Sequence, residues 1–163
     1  MTPPEVFTIG VYGYTEEAFL AALREAGVDT FCDVRRRRGL RGSEYAFANA
    51  KRLQASLEGA GIRYLHFVEL SPENELRERQ YQEDRETGTA KRQRTALGQT
   101  FIDGYRDTCL AGFNSGAFVN ALGPGAKRVA LFCVERDPAA CHRSLLAERL
   151  ERDLGTKVTH LTP

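Results

Sequence analysis

Val129-Ala-Leu-Phe-Cys-Val-Glu-Arg-Asp-Pro-Ala-Ala-Cys-His-Arg143 runs from the most apolar segment of the chain straight into a helix start. Val129 to Val134 is a short, uninterrupted apolar run, the pattern of a strand covered on both faces. Asp137-Pro138 supplies a capping aspartate and a proline at the first helical position. Leu146, Leu150 and Leu154 then recur at helical spacing, and Gly155 is a natural stop. This reading puts Cys141 in the first helical turn.

The same alternation extends outward in both directions. Val6–Gly10, Val28–Val34, Ile62–Val68 and Val158–Leu161 read as further strands. Thr15 caps a helix carrying Phe19, Leu23 and Ala26, with Glu16 and Glu17 in its first turn. Leu53, Leu57 and Ala60 mark another. Strands alternating with helices imply an α/β, Rossmann-like fold. We expect a mostly parallel sheet of about five strands with helices on both faces, formed as one domain over residues 1–163. Residues 72–126 interrupt the pattern as a helical, charged excursion. From Pro72 to Arg94 apolar residues are almost absent and acids balance bases, which predicts an exposed segment outside the core.

Length and composition suit such a domain. The chain has 163 residues, 42% hydrophobic and 28% charged, and a net charge of +1. Global charge therefore selects no partner class, and only local patches speak to one. The four cysteines form no CxxC pair, so free thiols in a reducing cytoplasm are expected. No signal peptide or membrane span is visible, and no membrane partner is expected.

In parallel sheets ligands bind beyond the carboxyl ends of the strands, so those ends supply the candidate residues. After the first strand come Gly10, Tyr12 and Gly13, which do not fit a dinucleotide fingerprint. Gly10 permits a close backbone approach. After the second, Asp33-Val34 leads into Arg35, Arg36, Arg37, Arg38 and Arg41, with Tyr45 and Phe47 nearby. Residues 35–52 carry seven basic side chains and one acid, Glu44. Consecutive arginines repel one another unless an anion is present. Guanidinium with aromatic is also the chemistry of a phosphate and base groove. Asp33 is expected to orient Arg35. After the third strand, Glu69 is a contact candidate, and His66 reads as a structural group.

The fourth strand end concentrates the most chemistry: Cys133, Glu135, Cys141, His142 and Arg143. A helix N-terminus attracts anions and favours thiolate. Glu135, His142 and Cys141 are the catalytic candidates. Gly10, Tyr12, Asp33, Arg35, Arg37, Arg38, Arg41, Tyr45, Glu69, Cys133 and Arg143 are the ligand-binding ones. Neighbouring residues on a helix point about 100° apart, so Cys141 and His142 are not expected to face each other. Cys133, Cys141 and His142, with Cys32 as a further thiol, suit zinc by type. Their spacing matches no standard site, and no metal or cofactor is expected.

These residues carry a resemblance. Thr8-Ile9-Gly10, Asp33-Val34-Arg35, Phe67-Val-Glu-Leu70 and Cys133-x-Glu135-x-Asp137-Pro138-x-x-Cys141-His142-Arg143 resemble domain-of-unknown-function family 488. The subset with Arg-Arg-Gly-x-Arg-Gly-Ser-Glu-Tyr-Ala-Phe-Ala-Asn, here residues 37–49, is most similar. The resemblance implies a Rossmann-like domain with no agreed reaction, and some members carry a DNA-repair label. This chain departs at Val11-Tyr12, where many members have His-Ser, and at Ser71-Pro72, where many have Gly-Gly.

The leading expectation is a domain binding a phosphate-bearing ligand, nucleic acid or nucleotide, at the strand ends. One alternative is an enzyme acting on a small anionic metabolite through the Cys-His-Arg helix end. The other is a non-catalytic partner-binding domain using the charged excursion.

Overall fold

A computed structural model describes residues 2–90 and 93–163. Among the described residues five strands form one sheet: β1 (Glu5–Ile9), β2 (Thr30–Asp33), β3 (Arg63–His66), β4 (Arg128–Phe132) and β5 (Val158–Leu161). Their order is β3-β2-β4-β1-β5 and every pairing is parallel. The fold is thus α/β and Rossmann-like. β2, β3 and β4 run one to three residues shorter than their apolar stretches, because extended chain continues past the ladder. Val34, for example, still donates to the Phe132 carbonyl at 3.0 Å.

Crossovers between parallel strands are right-handed. The chain moves towards the β3 edge through α1 (Glu16–Glu25) and α2 (Ala50–Gly59), and back towards β5 through α5 (Ser115–Leu122) and α6 (His142–Leu154). The two pairs of helices therefore cover opposite faces. Ring contacts agree with this. Phe19 of α1 meets Phe31 and Phe132 on one face, while Phe67, from the other parity of β3, meets Phe118 of α5. Helix α1 is capped as its sequence implies, with the Thr15 hydroxyl accepting from the Ala18 amide at 3.1 Å.

Between β3 and α5 lie α3 (Asn74–Thr87) and α4 (Gln99–Tyr105), the latter continued by a π-helical turn over Arg106–Leu110. Most of α3 is exposed, as expected, but the expectation that the segment lies wholly outside the core is corrected. Leu76, Gln80 and Asp84 stand four residues apart on one face of α3 and are buried. Two of the three are polar, so the inward stripe has no apolar signature. α4 packs closely on α3: a Cβ on Gly104 would lie 2.3 Å from a Leu76 methyl.

The helix after β4 also starts later than expected. Asp137-Pro138 opens a 3₁₀ turn, Pro138–Ala140, and α6 begins at His142 with Cys141 as its N-cap. Among the described residues no helix is long and apolar enough to cross a membrane.

Candidate functional site

The topology locates the site. After β2 the chain turns towards β3, and after β4 it turns the other way, over β1 to β5. β2 and β4 are neighbours, so their diverging carboxyl ends open a crevice at the switch point. A cavity of about 130 Å³ lies there, between Arg35 after β2 and Cys133, Val134 and Glu135 after β4. Its remaining walls come from the N-terminal end of α6, through Cys141 and His142, and from the excursion, through Arg77, Gln80, Leu97 and Phe101.

Arg35 is buried and held by its neighbours in the sequence. It is 3% exposed, and its backbone amide, Nε and Nη2 all donate to the Asp33 carboxylate, at 3.1, 2.9 and 2.8 Å. This is the orienting role read from the sequence. The Tyr64 hydroxyl also donates to Asp33 Oδ2, at 2.5 Å. Burial pushes the Tyr64 phenol up to about 12, with Arg38 pulling the other way and Asp33 adding to the rise. The guanidinium lies 4.7 Å from the centroid of the Phe132 ring. The His66 Nε2 bonds the Arg35 carbonyl at 2.7 Å, a structural contact. Arg35 Nη1 is buried, has no partner among the described residues, and belongs to a side chain that lines the cavity.

Arg94 closes the opposite side and was not among the sequence candidates. It is 8% exposed, and it donates to Asp84 Oδ2 at 2.7 Å and to Glu135 Oε1 at 2.8 Å. It also reaches the Ala140 carbonyl. Gln80 completes the network, donating to Asp84 Oδ1 and accepting the Gly98 amide, both at 2.9 Å. This lattice of buried charge ties the excursion to the strand ends. Its only sequence signal is the four-residue spacing of Gln80 and Asp84.

The expected geometry of Cys141 and His142 is corrected. As N-cap, Cys141 is extended (φ −138°, ψ 144°), outside the helical rotation assumed for neighbours. Its Sγ therefore lies 3.7 Å from His142 Nδ1. The other ring nitrogen, Nε2, bonds the Val34 carbonyl at 2.9 Å. Burial opposes ionisation of the Cys141 thiol most strongly. The Cys133 thiol, the His142 ring and Arg143 outweigh it and hold the thiol well below its ordinary value. Burial likewise lowers His142, but the Cys141 thiolate more than reverses it, and the imidazole is raised.

The structure brings Arg35, Arg37, Cys133, Glu135, Cys141 and His142 to one cavity and leaves other candidates away from it. Arg143 is fully buried, and its Nη1 donates to the Glu135 carbonyl at 2.7 Å, behind the cavity wall. Gly10 lies against that same carbonyl, where a Cβ would sit 1.8 Å from the oxygen. The close approach at Gly10 is thus to the protein's own backbone. Tyr12 and Tyr45 are buried with ring centroids 5.1 Å apart, and Phe47 is buried beside them, so none presents an open stacking face. Arg38 reaches the Tyr64 hydroxyl at 3.3 Å, and Arg41 and Glu69 are exposed outside the cavity. Cys32 is buried in β2 and is not part of the Cys133, Cys141 and His142 cluster.

A family model, "Domain of unknown function DUF488", matches residues 15–150. The chain belongs to this family. Both β2 and β4, and every described cavity residue, fall inside the part that the DUF488 model matches. Comparison with curated proteins and with solved structures returned no match.

Proposed function

We propose that this DUF488 chain binds a small oxyanion, free or as the terminal phosphate-type group of a small ligand, in the cavity between the ends of β2 and β4. Arg35 carries the reading. A buried guanidinium with one donor unpartnered, held rigidly by Asp33 beside a cavity, is a preorganised anion clamp. Leaving such a donor unsatisfied costs about 1–3 kcal/mol, which an anion recovers. Arg36, Arg37, Arg77 and Arg94 also line the cavity, against Glu135 as its only acid among the described residues. The room of about 130 Å³ resembles that of a cavity that takes benzene, roughly 150 Å³. It admits an anionic headgroup and not a nucleobase beside it, and the nearby aromatics are buried.

The test is a thermal-shift panel of inorganic phosphate, sulfate and a mononucleotide, with a labelled oligonucleotide followed by anisotropy across a salt series. Small anions are expected to raise the Tm of the wild type and to leave Arg35→Gln unmoved. Tight, strongly salt-dependent oligonucleotide binding with no response to small anions would replace this reading with a nucleic-acid groove.

A further inference from the structure

The cavity wall holds a second chemistry that anion binding does not use. We propose that Cys133 Sγ, Cys141 Sγ and His142 Nδ1 form a site for a zinc-class divalent ion, with its fourth coordination position open to the cavity.

The three ligand atoms all lie within 4.8 Å of one another, and Cys141 Sγ and His142 Nδ1 are 3.7 Å apart. A tetrahedral zinc ion with bonds of about 2.3 Å to sulfur and about 2.0–2.1 Å to nitrogen sets its ligands roughly 3.5–3.8 Å apart. The cluster therefore needs at most a small contraction around an ion. Two thiolates and an imidazole are also the donors that select zinc over magnesium or calcium.

The chain prepares each donor. His142 Nε2 bonds the Val34 carbonyl, which fixes the proton there and presents the Nδ1 lone pair to the sulfurs. Metal-bound histidines are oriented by the same kind of outer contact. Cys141 reaches the cluster because it is an extended N-cap. Tyr105 packs its ring against His142, 5.4 Å between centroids, and donates to the Leu70 carbonyl, so the imidazole cannot swing away.

All three residues line the cavity. Three protein ligands with a fourth face on open room is the arrangement of a reactive zinc site, whereas structural sites close with four. Two thiolates neutralise the dication and leave the arginine wall its positive charge. An anion on Arg35 then adjoins the open position. That last step rests on the proposed anion reading, but metal binding itself does not.

The experiment strips the full-length protein with a chelator under reducing conditions and titrates it with cobalt(II), a spectroscopic stand-in for zinc. The expected result is saturation at about one equivalent, with sulfur-to-cobalt charge-transfer absorption, strong tetrahedral d–d bands and displacement by zinc. Cys133→Ser and Cys141→Ser should each weaken binding more than about tenfold, and Cys109→Ser should not. Independently of any variant, zinc should protect Cys133 and Cys141 of the wild type from alkylation, read by mass spectrometry. No stoichiometric cobalt uptake, or equal alkylation of both thiols with and without zinc, overturns the proposal. Metal uptake without phosphate binding would leave the metal site standing and remove the anion reading.

Discussion

Arg94 shows what one residue does here and why the sequence hides it. It lies amid balanced charges, where nothing separates it from its solvated neighbours. Its partners Asp84 and Glu135 are ten and forty-one residues away along the chain, and only the fold brings them together. Removing one partner of a buried ion network leaves the others uncompensated. Arg94→Met is expected to destabilise the fold by about 3–5 kcal/mol in urea denaturation. Arg37→Ala, at an exposed cavity edge, should change stability by less than about 0.5 kcal/mol. Equal, small effects of the two would show that the network contributes little. Gly10 makes a second case. Gly10 itself does not adopt a positive φ, yet a Cβ there meets the Glu135 carbonyl. Gly10→Ala should therefore lower the Tm and displace Glu135, whereas a wild-type Tm would mean the loop yields freely. By contrast, the Asp33–Arg35 pair was legible from sequence because it is local. A carboxylate two residues before an arginine at a strand end can reach it whatever the rest of the chain does.

At the scale of elements, apolar periodicity located all five strands together with α1, α2 and α6. It missed the inward face of α3, since Gln80 and Asp84 are buried by hydrogen bonds and an ion pair. It also misplaced the start of α6, because an Asp-Pro pair opens a 3₁₀ turn as well as a helix. Those few residues decide the site, since they turn the Cys141 side chain towards His142. Close packing of α3 on α4 predicts that Gly104→Ala overpacks against Leu76 and costs about 1–3 kcal/mol. An unchanged Tm would show that the two helices can part. The edge strand β5 carries a pH dependence. Its His160 is exposed at the surface and shares a 2.6 Å hydrogen bond with the Thr8 hydroxyl, and partial desolvation, then the charge of Arg143, lowers its pKa. The folded state thus binds this proton less readily than the unfolded chain, whose histidine titrates near about 6.5. Its contribution is intact above that pH and is lost as pH falls through it. Urea midpoints at pH 7.5 and 5.5 should differ more for wild type than for His160→Gln. An identical pH response in the two would remove His160 from the account.

At the scale of the whole molecule, topology does what no single motif could. The order β3-β2-β4-β1-β5 follows from no residue in particular, but it makes β2 and β4 neighbours whose continuations diverge. The arginine loop after one and the Cys-x-Glu segment after the other meet only for that reason. The sequence placed the site at strand ends by the general rule for parallel sheets. Which ends would meet, and that the excursion would roof them, required the long-range pairing. The resulting cavity is small, lined by several arginines and walled on one side by a buried ion network, and the ligand proposed for it is accordingly a compact anion.

The most direct measurement is isothermal titration of the full-length protein with inorganic phosphate, wild type against Arg35→Gln. The account predicts saturable binding of about one phosphate per chain, weakened at least about tenfold in the variant, as loss of a charged hydrogen bond worth about 1.5–3 kcal/mol requires. Binding that is absent in the wild type, or equally strong in both proteins, would contradict the assignment of Arg35 as the anion clamp.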